Sequence, residues 1–194
     1  MTRSAYDYGL NDLQMQNFTV RSTTGTDRLQ FRVWGGSLRV SVIKEKDFKA
    51  IYELTIGMSK IPIIRKLIAQ VAKSSPDSKY PAVFSTYDRD TKKWNTECVL
   101  SFIKDDKNMY RIEIQWKGNK YEFILRGPSG ISYGSDPMGE AERSAIELET
   151  LDMYIKDYVP TQTILTNKRR NIGGASNKSG DTAKSNNIEE FFGN

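Results

Sequence analysis

The strongest constraint on the fold is a regular alternation of apolar and polar residues on either side of a Gly35-Gly36 pair. Residues 28–34 and 38–44 each carry an apolar side chain at every second position. Side chains of a strand point alternately to its two sides, and a two-residue glycine turn is typical of a tight hairpin. The pattern therefore predicts two half-buried antiparallel strands, and residues 17–23 predict a third strand before them.

The apolar spacing changes to three or four residues after this block. Residues 45–56 predict a short first helix, with Gly57 as its break. Ser59 is placed to cap a second helix, and Pro62 is tolerated there because it falls in the first turn. The apolar stripe of this second helix consists of Ile64, Leu67, Ile68 and Val71.

A second run of alternating segments predicts further strands. They cover residues 82–88, 94–103, 108–117 and 119–126. Asp136-Pro137 then supplies an N-cap and a proline at the first helical position, so we expect a helix from there to about residue 158. Pro160 is expected to end this helix.

The order of elements is that of an α+β protein with two strand-rich units, each followed by a helix. We write it βββ(β)α-ββββα, with antiparallel sheets backed by helices. The optional fourth strand of the first unit falls on residues 5–14 or is absent. The units form a pseudo-repeat, residues 15–75 and 82–158, within one domain of residues 1–160. A barrel of the oligonucleotide-binding fold is the alternative, since three strands, a helix and more strands also suit it.

From residue 161 to residue 194 the composition changes, and we expect a disordered tail. This segment becomes rich in Gly, Ser, Asn and Lys and has almost no apolar residues until its end. Its last residues combine carboxylates with two adjacent phenylalanines, which resembles the partner-docking peptide of bacterial single-strand-binding proteins. The candidate partner-binding residues are Ile188, Glu189, Glu190, Phe191 and Phe192.

The composition excludes several kinds of catalytic and metal site. The chain has 194 residues, no His and one Cys. Without His there is no Ser-His-Asp triad, no Cys-His dyad and no His-ligated zinc, and one Cys forms no disulfide within the chain. The acid pairs Asp88/Asp90 and Asp105/Asp106 lie in predicted turns, where carboxylates usually bond the backbone. We expect a protein that is not an enzyme and needs no cofactor or metal.

Basic residues are concentrated on the predicted first sheet. Residues 17–44 hold five basic residues and one acid, whereas residues 127–158 hold two basic residues and seven acids. Arginines bind phosphates and exposed aromatic rings stack on unpaired bases, so the polar face of these strands is a candidate nucleic-acid surface. Its candidate residues are Arg21, Arg28, Arg32, Trp34, Arg39 and Lys44. A solvated face with one stray tryptophan is the alternative.

Two further groups of basic and aromatic residues extend this candidate surface. The predicted hairpin near residue 90 carries Tyr87, Arg89, Lys92, Lys93 and Trp94. The last two predicted strands add Lys117, Lys120 and Arg126. Glu113 and Glu122 dilute the charge of this last group. A charged turn for the first group and a solvated surface for the second are the alternatives.

In their order of elements, residues 15–158 resemble the Whirly family and the related positive cofactor four family of single-strand-binding proteins. The resemblance implies single-stranded DNA binding without sequence specificity. Curved sheets of this kind also expose edges, so we expect a homo-oligomer that covers them. The tail points to a phage or other viral protein that recruits replication, recombination or repair proteins.

Two other functions stay open at this point. One is RNA binding or transcription regulation, and the less favoured one is a metal-dependent nuclease that uses the turn acids. The sequence has no run of 18 apolar residues and no signal-peptide pattern. We therefore expect a cytoplasmic protein, in the host cytoplasm if it is viral, that is neither secreted nor bound to a membrane.

Overall fold

The structure is a computed structural model that describes residues 17–23, 25–34, 36–44, 50–127, 132–133 and 136–164. The strand considered for residues 5–14 and the candidate partner-binding residues 188–192 lie outside these ranges. Within them the chain forms two antiparallel four-stranded sheets, each followed by a helix. This is the predicted α+β layout, and the described residues do not form the alternative barrel.

The first sheet consists of β1 (Phe18–Arg21), β2 (Asp27–Trp34), β3 (Ser37–Lys44) and β4 (Ala50–Ile56), hydrogen-bonded in that order. Trp34 pairs with Ser37, as expected for the predicted two-residue connection. Gly36 has a φ of +82°, a conformation that favours glycine because L side chains rarely adopt it. The alternation buries one face of the sheet and leaves the arginines on the other, which we call the outer face of the first sheet.

Strand β4 occupies a segment that the sequence predicted to be helical. Ile51, Tyr52 and Leu54 fit both spacings, since these few positions satisfy helical and strand periodicity alike. Pairing with β3 decides between them, because Tyr52 lies opposite Val42 and Leu54 opposite Val40, with all four side chains buried. The predicted first helix is therefore wrong over residues 50–56, and the optional fourth strand of the first unit is β4.

A 3-10 turn (Met58–Lys60) leads into helix α1 (Ile61–Lys73). Pro62 lies in the first turn of α1, as predicted. A backbone N–H at that position would have no partner within the helix, so its absence in proline costs nothing. Ser59 lies within the 3-10 turn, and the N-cap is Lys60, which makes no side-chain cap hydrogen bond. The predicted serine cap is wrong because the extra turn moves the start of α1 beyond it.

The second sheet consists of β5 (Ser78–Asp88), β6 (Lys93–Lys104), β7 (Tyr110–Trp116) and β8 (Asn119–Ile124), again in chain order. The first two strands are the longest in the described part and form an extended hairpin. All four strands match predicted segments, with shifts of a few residues at their ends. Cys98 is buried on the inner face of β6, which agrees with its expected place in the core.

Helix α2 (Glu140–Met153) begins later than the sequence predicted. Residues Asp136–Pro137 form the short strand β10, which pairs with β9 (Ser132–Tyr133), and Gly139 is the N-cap of α2. The residue before a proline prefers extended backbone, and this preference suits a strand as well as a cap. The predicted Asp136 cap is therefore wrong.

The C-terminal helix also continues beyond its predicted end. Residues Tyr154–Tyr158 form a π-helical segment in which Val159 N–H bonds the carbonyl of Tyr154, and helical structure persists to residue 164. Proline in a helix clashes with the carbonyl four residues earlier, and a wider π turn is one way to relieve such a conflict. The predicted stop at Pro160 is wrong, and residues 161–164 of the predicted tail are helical.

The two sheets and both helices share one hydrophobic core. Ser22 and Phe123 form a β-bridge, and Thr23 N–H donates to the carbonyl of Glu122 over 3.1 Å, so β1 meets β8 at a seam between the sheets. A second link between the sheets is the packing of Tyr52 in β4 against Trp116 in β7, with ring centroids 4.6 Å apart. In the described part of the chain, both helices pack on the inner side and leave the outer face of the first sheet uncovered.

Candidate nucleic-acid interface

The centre of the candidate interface is the end of the β2–β3 hairpin. Arg32 lies directly opposite Arg39, and Trp34 follows on the same outer face beside the turn. The guanidinium carbons of Arg32 and Arg39 lie 5.7 Å and 5.6 Å from the centroid of the Trp34 ring, within cation–π range. Trp34 is nevertheless 59% exposed. The hairpin thus presents one accessible aromatic ring flanked by two cations.

Glu53 of β4 holds the two arginines in place. Its Oε2 accepts from Arg32 Nη2 over 2.8 Å, and its Oε1 accepts from Arg39 Nη1 over 2.7 Å. Ser41 Oγ, opposite Glu53 in the register, donates to Oε2 over 3.2 Å. Burial tends to raise the pKa of Glu53, but the bond from Arg32 and the charges of both arginines hold that pKa below its usual value. The carboxylate is therefore ionised at neutral pH.

Sequence reasoning missed Glu53 because it assigned residues 45–56 to a helix. The strand periodicity of Tyr52, Leu54 and Ile56 was the signal that could have found it, since it places Glu53 on the face opposite these buried residues. The outer face of the first sheet is therefore less basic than residues 17–44 suggest. One half-buried carboxylate offsets part of the charge of its arginines.

Of the remaining candidates of the first sheet, Arg21 and Arg28 share the outer face, and Lys44 lies at the end of β3 on the other side. Arg21 is exposed and pairs in register with Arg28, which is half-buried. Arg28 is two positions from Gln30 and four from Arg32, so it shares their face. Lys44 is exposed at the end of β3, opposite Asp27. The structure thus brings the arginines together on one face, but Lys44 does not belong to it, because its register with Asp27 puts it in phase with the inward-facing Val42 and Leu29.

The second candidate group lies at the tip of the β5–β6 hairpin. Tyr87 is exposed and pairs in register with Trp94, whose side chain lies outside the described part of the chain. The basic residues at this tip, all exposed, are Arg89, Lys92 and Lys93. The tip is therefore a basic protrusion with at least one accessible aromatic ring.

One acid of each predicted turn pair, Asp88 and Asp105, has the structural role that the sequence predicted for it. Asp88 accepts from the backbone N–H groups of Asp90 and Thr91 and from the Thr91 hydroxyl at 2.8 Å. The hydrogen bond from the Thr91 hydroxyl contributes most to lowering the pKa of Asp88. Asp105 accepts from the N–H groups of Lys107 and Met109. Among the described residues, no three of the types His, Cys, Asp and Glu are grouped to hold a metal ion.

The third candidate group does not form a single basic track. Lys120 Nζ lies 2.9 Å from Glu113 Oε2 and 2.8 Å from Glu122 Oε1, and its bonds to these acids raise its pKa. Lys117 lies over the ring of Trp116 in the β7–β8 turn, with 5.0 Å between its amine and the centroid. Arg126 is exposed beyond the end of β8. Alternating acids and bases thus neutralise much of the outer face of the second sheet.

Comparisons with known proteins add little to this geometry. No protein-family model matches the sequence, and no curated protein matches it. A chain from the crystal structures of Trypanosoma brucei MRP1/MRP2 superposes with a TM-score of 0.42 and 9% identity, covering 90% of this chain and 99% of that one. None of the helices in the described ranges is long and apolar enough to cross a membrane.

Proposed function

We propose that this protein binds single-stranded DNA, largely without sequence specificity, through the outer face of the first sheet. The observation that carries the proposal is the exposed Trp34 ring beside Arg32 and Arg39. Duplex DNA hides the faces of its bases, whereas a single strand offers bases to stack and phosphates to pair at the same place. A site that joins one accessible ring to two guanidiniums fits that combination.

The bonding of the two arginines supports this role. Arg32 uses Nη2 and Arg39 uses Nη1 to bind Glu53. The other terminal nitrogen of each guanidinium has no partner among the described residues. Arginine presents several donors in a planar fork, so one edge can hold Glu53 while another meets a phosphate. Glu53 therefore orders the side chains before the strand arrives, which reduces the entropy lost on binding.

The wider function rests on the sequence together with this site. We propose a non-enzymatic, oligomeric cytoplasmic protein that protects single strands and recruits replication or recombination proteins through residues 188–192. The arrangement of two four-stranded sheets with following helices is the one on which the resemblance to Whirly and positive cofactor four proteins depends. The basic tip of the β5–β6 hairpin is a second place where a long strand can bind.

A band-shift series tests this proposal. Labelled single-stranded DNA, duplex DNA and RNA of the same sequence are titrated with the protein at about 50 mM and about 200 mM salt. We expect single-stranded DNA to bind most tightly and to lose affinity as salt rises, because pairing with phosphates releases counterions. No salt-sensitive binding of single-stranded DNA at the lower concentration would overturn the proposal, and a clear preference for RNA would favour the alternative.

A further inference from the structure

A basic cleft, separate from the outer face of the first sheet, lies on the other side of the seam between β1 and β8. It has a volume of about 460 Å³ and is formed by the β6–β7 turn, the end of β8 and the start of α2. The basic residues that line it are Lys107, Arg111, Arg126 and Arg143, and the acids are Asp105 and Glu140. Only Arg126 belongs to the candidate residues that the sequence identified.

The charge of the cleft is not cancelled by its acids. Asp105 is already engaged, because it accepts two turn N–H groups and pairs with Arg111 over 2.7 Å. The side chains of Lys107 and Arg126 have no hydrogen-bond or ion-pair partner among the described residues, and both residues are exposed. Glu140 is the one other acid of the lining. The open part of the cleft is therefore positively charged.

Hydrogen bonds and one close backbone approach tie the walls of the cleft to each other. Tyr110 N–H donates to the buried hydroxyl of Ser144 over 2.8 Å, and Leu125 N–H donates to the carbonyl of Tyr110 over 3.0 Å. Gly127 packs so closely on α2 that a Cβ there would lie 2.0 Å from the carbonyl oxygen of Arg143. These interactions tie β7, β8 and α2 together and fix the backbone positions of Arg126, which precedes Gly127, and of Arg143.

The seam places this cleft next to the proposed binding face. Ser22 and Phe123 are buried and form the bridge between the sheets, so their neighbours Arg21 and Ile124 lie on the opposite, outer side. Ile124 pairs in register with Arg111, and both line the cleft. Arg21 therefore lies beside Ile124 across the seam, one strand away from Arg111 of the cleft, and the acid between them is Glu122, whose carboxylate is 3.9 Å from the Arg111 guanidinium.

We propose that the cleft formed by Lys107, Arg111, Arg126 and Arg143 is a second phosphate-binding site for the same nucleic-acid strand, after that strand crosses the β1–β8 seam. The inference rests on the proposed function and adds to it the route that the bound strand takes across the protein. Bases stack at Trp34, and the backbone of a longer strand reaches the cleft, where guanidinium and ammonium groups pair with its phosphates.

The test compares oligothymidylates of increasing length, from about 4 to about 16 nucleotides. The Lys107→Gln/Arg126→Gln double variant removes the two unpartnered charges. The Lys66→Gln/Lys73→Gln variant removes two exposed charges from α1 as a matched control. Fluorescence anisotropy gives the dissociation constant over a series of salt concentrations. Trp emission, compared with that of a Trp34→Phe variant, reports stacking at Trp34.

For the longest oligonucleotides we expect the cleft variant to bind roughly threefold to tenfold more weakly than the control variant. The steepness of its log–log salt dependence should fall by about 0.7 for each phosphate that the cleft no longer neutralises. The shortest oligonucleotides should bind both variants alike, since they reach only the first sheet. Equal affinities and slopes for the two variants at every length would overturn the cleft site while leaving Trp34 binding intact. An absence of binding by the wild type would instead overturn the proposed function and this inference with it.

Discussion

At the scale of single residues, Glu53 sets the charge that the outer face of the first sheet offers to the proposed nucleic-acid strand. It binds both arginines that flank Trp34, with distances of 2.8 Å and 2.7 Å. The same ion pairs lower the net charge of the face and keep the guanidiniums ordered. These two effects oppose each other in nucleic-acid binding, and substitution of Glu53 shows which is larger.

The Glu53→Gln variant should bind single-stranded DNA more tightly at low salt, by roughly threefold to tenfold. The amide keeps the shape of the side chain and one of its two acceptor oxygens but removes the charge that competes with phosphate. The ion pairs that it replaces are partly exposed, and exposed pairs stabilise folding by only about 0–1 kcal/mol, so the fold should persist. Fluorescence anisotropy measures the affinity, and Glu149→Gln on the exposed surface of α2 is the control. Weaker binding by Glu53→Gln would show that ordering of the arginines outweighs the charge.

Glu113 is the corresponding acid of the second sheet, and it links folding stability to pH. Its side chain is 1% exposed and pairs with Lys79 and Lys120. Burial tends to raise its pKa, but the hydrogen bonds from Lys79 and Lys120 hold that pKa below its usual value. Because the folded-state pKa is lower than the unfolded value, Glu113 stabilises the fold above an unfolded pKa of about 4.3. That stabilisation is lost as the pH falls through the folded-state pKa.

The Glu113→Gln variant should therefore lose about 1–3 kcal/mol of unfolding free energy at pH 7. At pH 3, below the unfolded pKa of about 4.3, the difference from the wild type should shrink, because the unfolded state gains a proton that ionised Glu113 must give up in folding. Urea unfolding at the two pH values measures both differences, and Glu97→Gln, at an exposed position of the same sheet, is the control. A difference that stays constant or grows at pH 3 would contradict this assignment.

At the scale of elements, the sequence predicted those strands whose alternation of apolar and polar residues does not also fit a helix. Residues 28–34 and 38–44 are strands because their period of two is long and is punctuated by two glycines. Over residues 50–56 the same few apolar positions also fit a helix, and only pairing with β3 decides between the two. The end of the last helix depended on a π-helical segment, which local spacing does not reveal.

The candidate site shows the same division between local and tertiary information. Trp34 and its flanking arginines could be found because they lie on one hairpin. Glu53 could not be counted while its strand was predicted to be a helix. The basic cleft joins a turn, a strand end and a helix start, and Arg143 belongs to a helix whose composition is acidic. Charge counts along the chain do not reveal a site of that kind.

The junction between β8 and α2 should depend strongly on Gly127. An alanine there would place its Cβ 2.0 Å from the carbonyl oxygen of Arg143, at a φ of +63°. Gly118 has a φ of +77° but open space around it, so Gly118→Ala isolates the cost of the backbone conformation. We expect Gly118→Ala to cost about 1–2 kcal/mol of unfolding free energy and Gly127→Ala clearly more. Equal losses in urea unfolding would show that the close approach to α2 is not tight in solution.

At the scale of the whole molecule, the pseudo-repeat does not divide the protein into two separate folding units. One buried cluster includes residues of both sheets and both helices. Arg65 of α1 pairs with Asp152 of α2 over 3.0 Å, and the hydroxyl of Tyr154 donates to the carbonyl of Phe31 in the first sheet over 3.2 Å. The second unit is therefore needed to complete the core of the first.

Unfolding should accordingly be a single cooperative transition. Urea unfolding followed by far-ultraviolet circular dichroism reports all elements, and Trp116 emission reports the packing between the sheets at Tyr52. A Trp34→Phe/Trp94→Phe variant leaves Trp116 as the one tryptophan of the chain, so its emission is measured alone. Coincident midpoints are expected from both probes, whereas two separated transitions would show that the sheets fold independently.

The proposed binding face depends on stacking of Trp34 on the bases of a single strand, and the affinity of Trp34→Ala for oligothymidylate measures that contact. Stacking on an aromatic side chain is worth about 1–3 kcal/mol per base, so the variant should bind roughly fivefold to more than a hundredfold more weakly. The control is Ile63→Ala, which removes an exposed apolar side chain from α1, away from the first sheet, and should bind like the wild type. An affinity of Trp34→Ala equal to that of Ile63→Ala would contradict the proposed binding face.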